Sequence, residues 1–186
     1  LDDFERQLPE HDLVILSDYG KGGLTHITKM IELAQKAGKR VLVDPKGDDY
    51  ARYAGASLLT PNRAELREVV GKWAGEADLK VKAEKLRETL GLEALLLTRS
   101  EEGMTLFRPE GVFNQAAKAR EVFDVSGAGD TVIATLALML AGMSSSLILP
   151  VLPTGTLMRS AAPKATLPWG AMILPSLLTL APSKAT

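Results

Sequence analysis

Apolar and polar positions along the first two-thirds of the chain fall into short blocks whose period keeps switching between strand and helix. "DLVILS", residues 12–17, is an apolar run leading into Asp18, Tyr19 and Gly20, the pattern of a buried strand entering a glycine-rich loop. From Thr25 to Ala37 the apolar residues Ile27, Met30, Ile31 and Ala34 recur at helical spacing, with Thr25 placed to cap and Gly38 to terminate. "RVLVD", residues 40–44, reads as a second strand stopped by Pro45. Strand, helix and strand in about 33 residues make a βαβ unit, so the strands are expected to be parallel and the crossover right-handed.

The alternation continues. "ASLLT", 56–60, reads as a third strand, and Asn62 stands where it caps a helix over "RAELREVVG". A further helix from Asp78 to Leu90 puts Leu79, Ala83, Leu86 and Leu90 on one face, and "EALLLT", 93–98, is the next strand. "GMTLFRP", 103–109, and "AREVFDV", 119–125, read as extended segments around a turn. The fold class is α/β, a layered domain with a mainly parallel sheet flanked by helices. Ligands bind such sheets at the carboxyl ends of the strands. The loops expected there are Asp18–Gly23, Asp44–Gly47, Thr60–Glu65, Thr98–Gly103 and Asp124–Asp130.

Charge changes this picture past residue 130. All 23 acidic residues lie at or before Asp130, and the 56 residues from Thr131 to Thr186 carry only Arg159, Lys164 and Lys184. Six of the ten prolines also fall there. The uncharged run from Thr131 to Met158 raises a membrane span, but Pro150, Pro153 and three serines interrupt it, so a buried helix to about residue 142 followed by irregular chain is expected. Two regions follow, a domain over 1–142 and an atypical Pro/Leu/Ser-rich tail over 143–186. A change of reading frame near Ala141–Ser146 is the expectation for the tail's origin. Elsewhere composition is ordinary: 186 residues, 46% hydrophobic, 24% charged, net charge −1. One domain with a proper core is the prior, and there is no basic footprint for nucleic acid. The absence of cysteine removes disulfides, thiolate metal sites and cysteine nucleophiles and accords with a cytoplasmic location. The start lacks an initiating methionine and a signal-like segment, so the chain is expected to be cut from something longer.

The candidate chemistry gathers at the strand ends. In "DVSGAGD", Gly127, Ala128 and Gly129 stand where a loop enters an apolar helix, so their backbone N–H groups can converge on an anion, aided by the helix dipole. Asp130 beside such a cradle can take a proton from an attacking hydroxyl while the amides hold charge developing on a transferred phosphoryl group. Lys46 in "DPKG" can meet a phosphate as a point charge. Asn62 and Glu65 in "PNRAE" can hold hydrated Mg²⁺ or a phosphate. The same residues admit a plainer reading: Ser126 or Asp130 as a helix cap with the glycines allowing close packing, Lys46 facing water, Asn62 as a cap and Glu65 exposed.

Taken in order, "SDYGKG", "VDPKG", "LLTPNRAEL", "LLLTRSEEGM" and "DVSGAGDT" resemble the motif set of the ribokinase-like carbohydrate kinases, also called the PfkB family. They are most similar to its branch acting on heptose 7-phosphate. The resemblance covers roughly residues 1–142. It implies ATP-dependent phosphorylation of D-glycero-β-D-manno-heptose 7-phosphate at its anomeric hydroxyl, toward ADP-heptose for the lipopolysaccharide core. By motif, it makes Asp130 the general base, with Gly127, Ala128 and Gly129 as the anion hole. It assigns Asn62, Arg63, Ala64 and Glu65 to nucleotide binding and Mg²⁺ organisation, with Glu65 as the metal-side carboxylate, and it puts Lys46 and the turn from Thr98 to Gly103 on the ATP side. A sugar phosphate is the implied partner, with no nucleic acid and no membrane, and the family often dimerises through a lid that has no counterpart before Leu1. Other readings are another sugar or nucleoside kinase of the family, or an inactive fragment serving as a binding module.

Overall fold

Behind a short helix, α1 (Asp2–Gln7), which buries none of its own residues, four apolar runs become neighbouring parallel strands. They are β1 (Leu13–Ser17), β2 (Arg40–Asp44), β3 (Leu58–Leu59) and β4 (Ala94–Thr98), side by side in chain order. The computed structural model describes residues 1–117 and 128–144. The inner strands β2, β3 and β4 are covered on both faces, whereas β1, at the edge, leaves Ile15 41% exposed. In β2 the pleat sends Val41 and Val43 to one face and Leu42 to the other, and none of the three is exposed.

Helices α2 (Ile27–Lys36), α3 (Arg63–Val70) and α4 (Glu76–Thr89) all pack on the face of Val41, Val43, Leu59, Leu95 and Leu97. The strand order explains this, because successive right-handed crossovers in one direction leave every crossover on one face. Between β2 and β3 the connection is a 3₁₀ turn, Tyr50–Tyr53, whose two buried rings meet edge to face with centroids 5.5 Å apart. Gly38 ends α2 as expected, at φ 68° with its N–H on the Gln35 carbonyl. Thr25 does not cap α2. That helix starts behind His26 without a side-chain cap, and the Thr25 hydroxyl instead donates to the Gly22 carbonyl at 2.7 Å, closing the preceding turn.

After β4 the sheet turns antiparallel, through β5 (Met104–Arg108) and β6 (Gly111–Gln115). The extended segment expected over "GMTLFRP" is β5. The partner of "GMTLFRP" is 111–115, with Arg108 opposite Gly111 across the two-residue turn at Pro109 and Glu110, and "AREVFDV" lies outside the described residues. The short β6 carries Val112 and Phe113 side by side, followed by Asn114 and Gln115, so no alternation announces it.

The other face of the sheet is covered by α5 (Ala128–Ser144). Ile133, Leu136, Ala137 and Leu140 form one stripe against Leu42, Leu58, Ala94, Leu96 and Leu106. Burying the three larger side chains of that stripe contributes about 5–9 kcal/mol. The uncharged run is thus, up to Ser144, one core helix that presents Leu138 outward at 75% exposure. No described helix is long and apolar enough to cross a membrane, and the expected tail from residue 145 onward lies outside the described residues.

Candidate active site

The run of β1 ends in Asp18, whose side chain is buried. A buried carboxylate needs partners, and Asp18 has three. Its Oδ1 accepts the Gly20 N–H at 2.8 Å, its Oδ2 accepts from the Tyr53 hydroxyl at 2.9 Å, and the Arg52 guanidinium lies 3.6 Å away. The bond to Gly20 fixes a turn in which Gly20 adopts φ 68°, a conformation glycine takes without strain. That turn presents Tyr19 outward, and its hydroxyl donates to the Asp130 carboxylate, 3.2 Å from each oxygen.

Strand β2 ends level with β1, Asp44 standing opposite Ser17. Burial first, then the Glu65 and Asp130 carboxylates, push the Asp44 carboxyl up to about 6, against the Thr60 hydroxyl and Lys46, which favour its charged form. Two residues on, the Lys46 ammonium donates to Glu65 Oε1 at 3.1 Å, and this bond holds it above the ordinary lysine range. The Lys46 backbone is held by Tyr53: its N–H donates to the Tyr53 hydroxyl at 3.1 Å, and its carbonyl lies 3.0 Å from the same oxygen.

Helix α3 starts with a capping box. Asn62 Oδ1 accepts the N–H groups of Ala64 and Glu65 at 2.9 and 3.0 Å, and Glu65 Oε2 accepts the Asn62 N–H at 2.9 Å. Asn62 is therefore a cap, as the plainer reading has it. Glu65 is not the exposed residue of that reading, for its side chain is only 12% exposed and its second oxygen faces Lys46. Thr98 forms a parallel bridge with Asn62, its N–H donating to the Pro61 carbonyl at 3.0 Å. From Thr98 the chain enters a tight turn closed by the Arg99 N–H on the Gly103 carbonyl at 2.8 Å. Gly103 stands at φ 94°, where a β-carbon would collide with the Gln115 carbonyl. An ion-pair network pins this turn to the helices: Arg99 reaches Glu76 at 2.6 and 2.8 Å and Glu102 at 2.8 Å, and Glu102 also pairs with Arg63 in the first turn of α3.

Ala128 opens α5, and Gly129 and Asp130 follow in its first turn. A β-carbon on Gly129 would meet no described atom within 4 Å, so packing among the described residues does not demand a glycine there. Gly127 lies outside the described residues. The structure thus gathers Asp130, Lys46, Asn62 and Glu65 at one end of the sheet, with Thr98 beside Asn62. It holds Arg63 and Gly103 further along, on the turn that Glu102 joins to α3. Ala64 contributes its backbone N–H to the Asn62 cap. Asp18, Tyr19, Asp44 and Tyr53 belong to the same cluster, and residue-by-residue reading gave them no role. The signal was in the sequence: the apolar runs of β1 and β2 are each closed by an aspartate, which places two carboxylates at adjacent carboxyl ends. A groove lined by Lys39, Arg40, Ser57 and Glu93 lies at the opposite, amino ends of the strands, away from this cluster.

Comparison with known proteins gives these residues a context. The sequence pattern described as pfkB family carbohydrate kinase matches residues 7–146. D-beta-D-heptose 7-phosphate kinase of Bordetella bronchiseptica is 59% identical over 136 residues, covering 73% of this chain and 44% of the relative. The bifunctional protein HldE of Chromohalobacter salexigens is 57% identical over 138 residues, 74% of this chain and 29% of that protein. The chain therefore spans less than half the length of the curated relatives it matches. Among solved structures, Arabidopsis thaliana ribokinase complexed with ribose and ATP superposes with a TM-score of 0.63 at 23% identity, over 77% of this chain and 46% of that one. Escherichia coli phosphofructokinase-2 does so with 0.61 at 22% identity, over 75% and 49%. At such identities the two structures speak for the fold alone.

Proposed function

The chain belongs to the pfkB family of carbohydrate kinases, and on that premise we propose that it carries the base and the phosphate-side groups of a cytoplasmic heptose 7-phosphate kinase. The reaction transfers the γ-phosphoryl group of ATP to the anomeric hydroxyl of D-glycero-β-D-manno-heptose 7-phosphate, on the route to ADP-heptose. The observation that carries this reading is the 59% identity to a kinase named for that sugar phosphate, over 136 residues of this chain.

The proposed chemistry asks little covalent work of the protein. Asp130 accepts the proton of the anomeric hydroxyl as the oxygen attacks the γ-phosphorus. The bond from that phosphorus to the β,γ-bridging oxygen breaks, and ADP leaves with the electron pair. The amides of Gly127, Ala128 and Gly129 would face the charge spreading over the transferred group. Tyr19 orients the Asp130 carboxylate through the bond it donates, and Lys46 and the first turn of α3 serve the phosphates.

The donors fit Mg²⁺. They are carboxylate oxygens, the hard ligands this ion takes, and the crowding that pushes Asp44 up to about 6 is what a divalent cation relieves. No three acidic or histidine side chains among the described residues are placed to cage a metal. Glu65, whose oxygens accept from Lys46 and from the Asn62 N–H, would reach the ion through water, with substrate phosphates as its direct ligands. When bound, Mg²⁺ would neutralise charge on the β- and γ-phosphates. The test is calorimetric titration of the chain with Mg²⁺-ATP. Saturable binding is expected, weakened about tenfold or more in an Asn62→Ala, Glu65→Ala double variant. A folded chain that gives no binding heat overturns the nucleotide part of the proposal.

A further inference from the structure

Among the described residues, a buried polar cluster stands not at the reacting groups but one layer behind them. Asp18 and Tyr53 stand on different connections, after β1 and between β2 and β3, and both converge on Lys46. Tyr53 is fully buried. Its single hydroxyl accepts the Lys46 N–H at 3.1 Å and shares its proton between Asp18 Oδ2 at 2.9 Å and the Lys46 carbonyl at 3.0 Å. One oxygen thus grips both main-chain groups of one residue. Asp18 acts from the other side. By accepting the Gly20 N–H it fixes Gly20 beside the lysine stem, near enough that a β-carbon there would stand 3.5 Å from Lys46 Cγ.

A lysine in a loop between Pro45 and Gly47 would ordinarily lose backbone and rotamer freedom when it met an anion. Here the backbone is fixed beforehand and the stem lies beside Gly20, while the side chain as a whole stays 53% exposed with its ammonium 3.1 Å from Glu65. Packing alone needs no such arrangement, since a phenylalanine would fill the same space beside Tyr50. We infer that Tyr53 and Asp18 are positioning residues that preset Lys46 for a nucleotide phosphate, acting through its backbone and stem and touching no ligand themselves. The inference rests on the reading of Lys46 as a phosphate-side group.

The test is a double-variant cycle on the 186-residue chain, read as Mg²⁺-ATP affinity by calorimetry, with thermal unfolding recorded for every protein. Tyr53→Phe keeps the ring and removes the oxygen. It is expected to weaken Mg²⁺-ATP about three- to tenfold, the cost of ordering one long side chain on binding. Lys46→Ala weakens it at least as much. The decisive result is the combination: with Lys46→Ala already present, Tyr53→Phe should cause no further loss, whereas a purely structural effect would recur in full. Asp18→Asn, crossed with Lys46→Ala in the same way, carries the test should Tyr53→Phe fold poorly. Wild-type affinity in Tyr53→Phe, or additive losses in the cycle, overturns the inference and leaves the proposed function standing. Absence of Mg²⁺-ATP binding by the unsubstituted chain overturns both.

Discussion

Replacing Asp44 by asparagine is expected to stabilise the fold at neutral pH, the reverse of what removal of a hydrogen-bonded carboxylate usually does. The Asp44 carboxyl is pushed from 3.8 up to about 6, by burial first and then by the charges of Glu65 and Asp130. The folded chain therefore binds this proton more tightly than the unfolded chain. The associated stability is fully present below about pH 3.8, falls as pH rises through about 6, and is flat above that. A shift of about two units corresponds to about 3 kcal/mol if felt in full, which solvent screening of a partly exposed group reduces to about 1–2 kcal/mol. Asparagine has nearly the same shape and keeps an acceptor for the Thr60 hydroxyl, 3.5 Å from Asp44 Oδ1. Urea denaturation of both proteins near pH 4 and near pH 7.5, compared at equal m-values, reads the effect. Asp44→Asn should gain about 1–2 kcal/mol on the wild type between the two conditions. A difference that does not change with pH, or that turns against asparagine at the higher pH, refutes the reasoning.

Four further substitutions probe the scaffold of the site. Asn62→Ala removes the acceptor for two N–H groups of α3 and should lower stability by about 1 kcal/mol in chemical denaturation. Gly103→Ala should cost more than about 2 kcal/mol because of the positive φ and the collision with the Gln115 carbonyl, whereas Gly129→Ala, whose β-carbon would meet no described atom within 4 Å, should leave the unfolding midpoint unchanged or raised. Arg99→Gln breaks the contacts to Glu76 and Glu102 and should cost about 1–3 kcal/mol, a loss that shrinks as salt is added to the denaturation buffer.

What was legible in the sequence was whatever period or punctuation announces. The apolar runs of β1, β2 and β4 and the stripe of α2 appear within a residue or two of their expected places: β2 and β4 are apolar because they are buried on both faces, β1 is equally apolar although its Ile15 is 41% exposed, and α2 shows the 3.6-residue period of a helix with one buried face. The cap at Asn62 was legible because its bonds are local. β6 was not, since two adjacent apolar residues carry no period, and its pairing is set by the two-residue turn after Arg108 together with the exposed edge of β5. Thr25 misled because α2 starts one residue later than a cap at Thr25 would require, behind His26, which leaves the Thr25 hydroxyl to donate back to the Gly22 carbonyl. At the site, residue types at strand ends drew attention to Lys46, Asn62, Glu65 and Asp130. The roles of Asp18 and Tyr53 depend on a contact across 35 positions, which no local pattern encodes. The crowding of Asp44 likewise exists only once three connections meet.

The central claim is that Asp130 takes the proton while ATP phosphorylates the anomeric hydroxyl of a heptose 7-phosphate. Phosphorus NMR of the protein with Mg²⁺-ATP and D-glycero-β-D-manno-heptose 7-phosphate, run beside its Asp130→Asn variant, tests it most directly. The account predicts a growing anomeric phosphate signal with the wild type and a rate lower by about 10²–10⁴ in the variant, with Mg²⁺-ATP still bound. An Asp130→Asn protein that transfers phosphate as fast as the wild type, or phosphate that lands on another hydroxyl of the sugar, would contradict it.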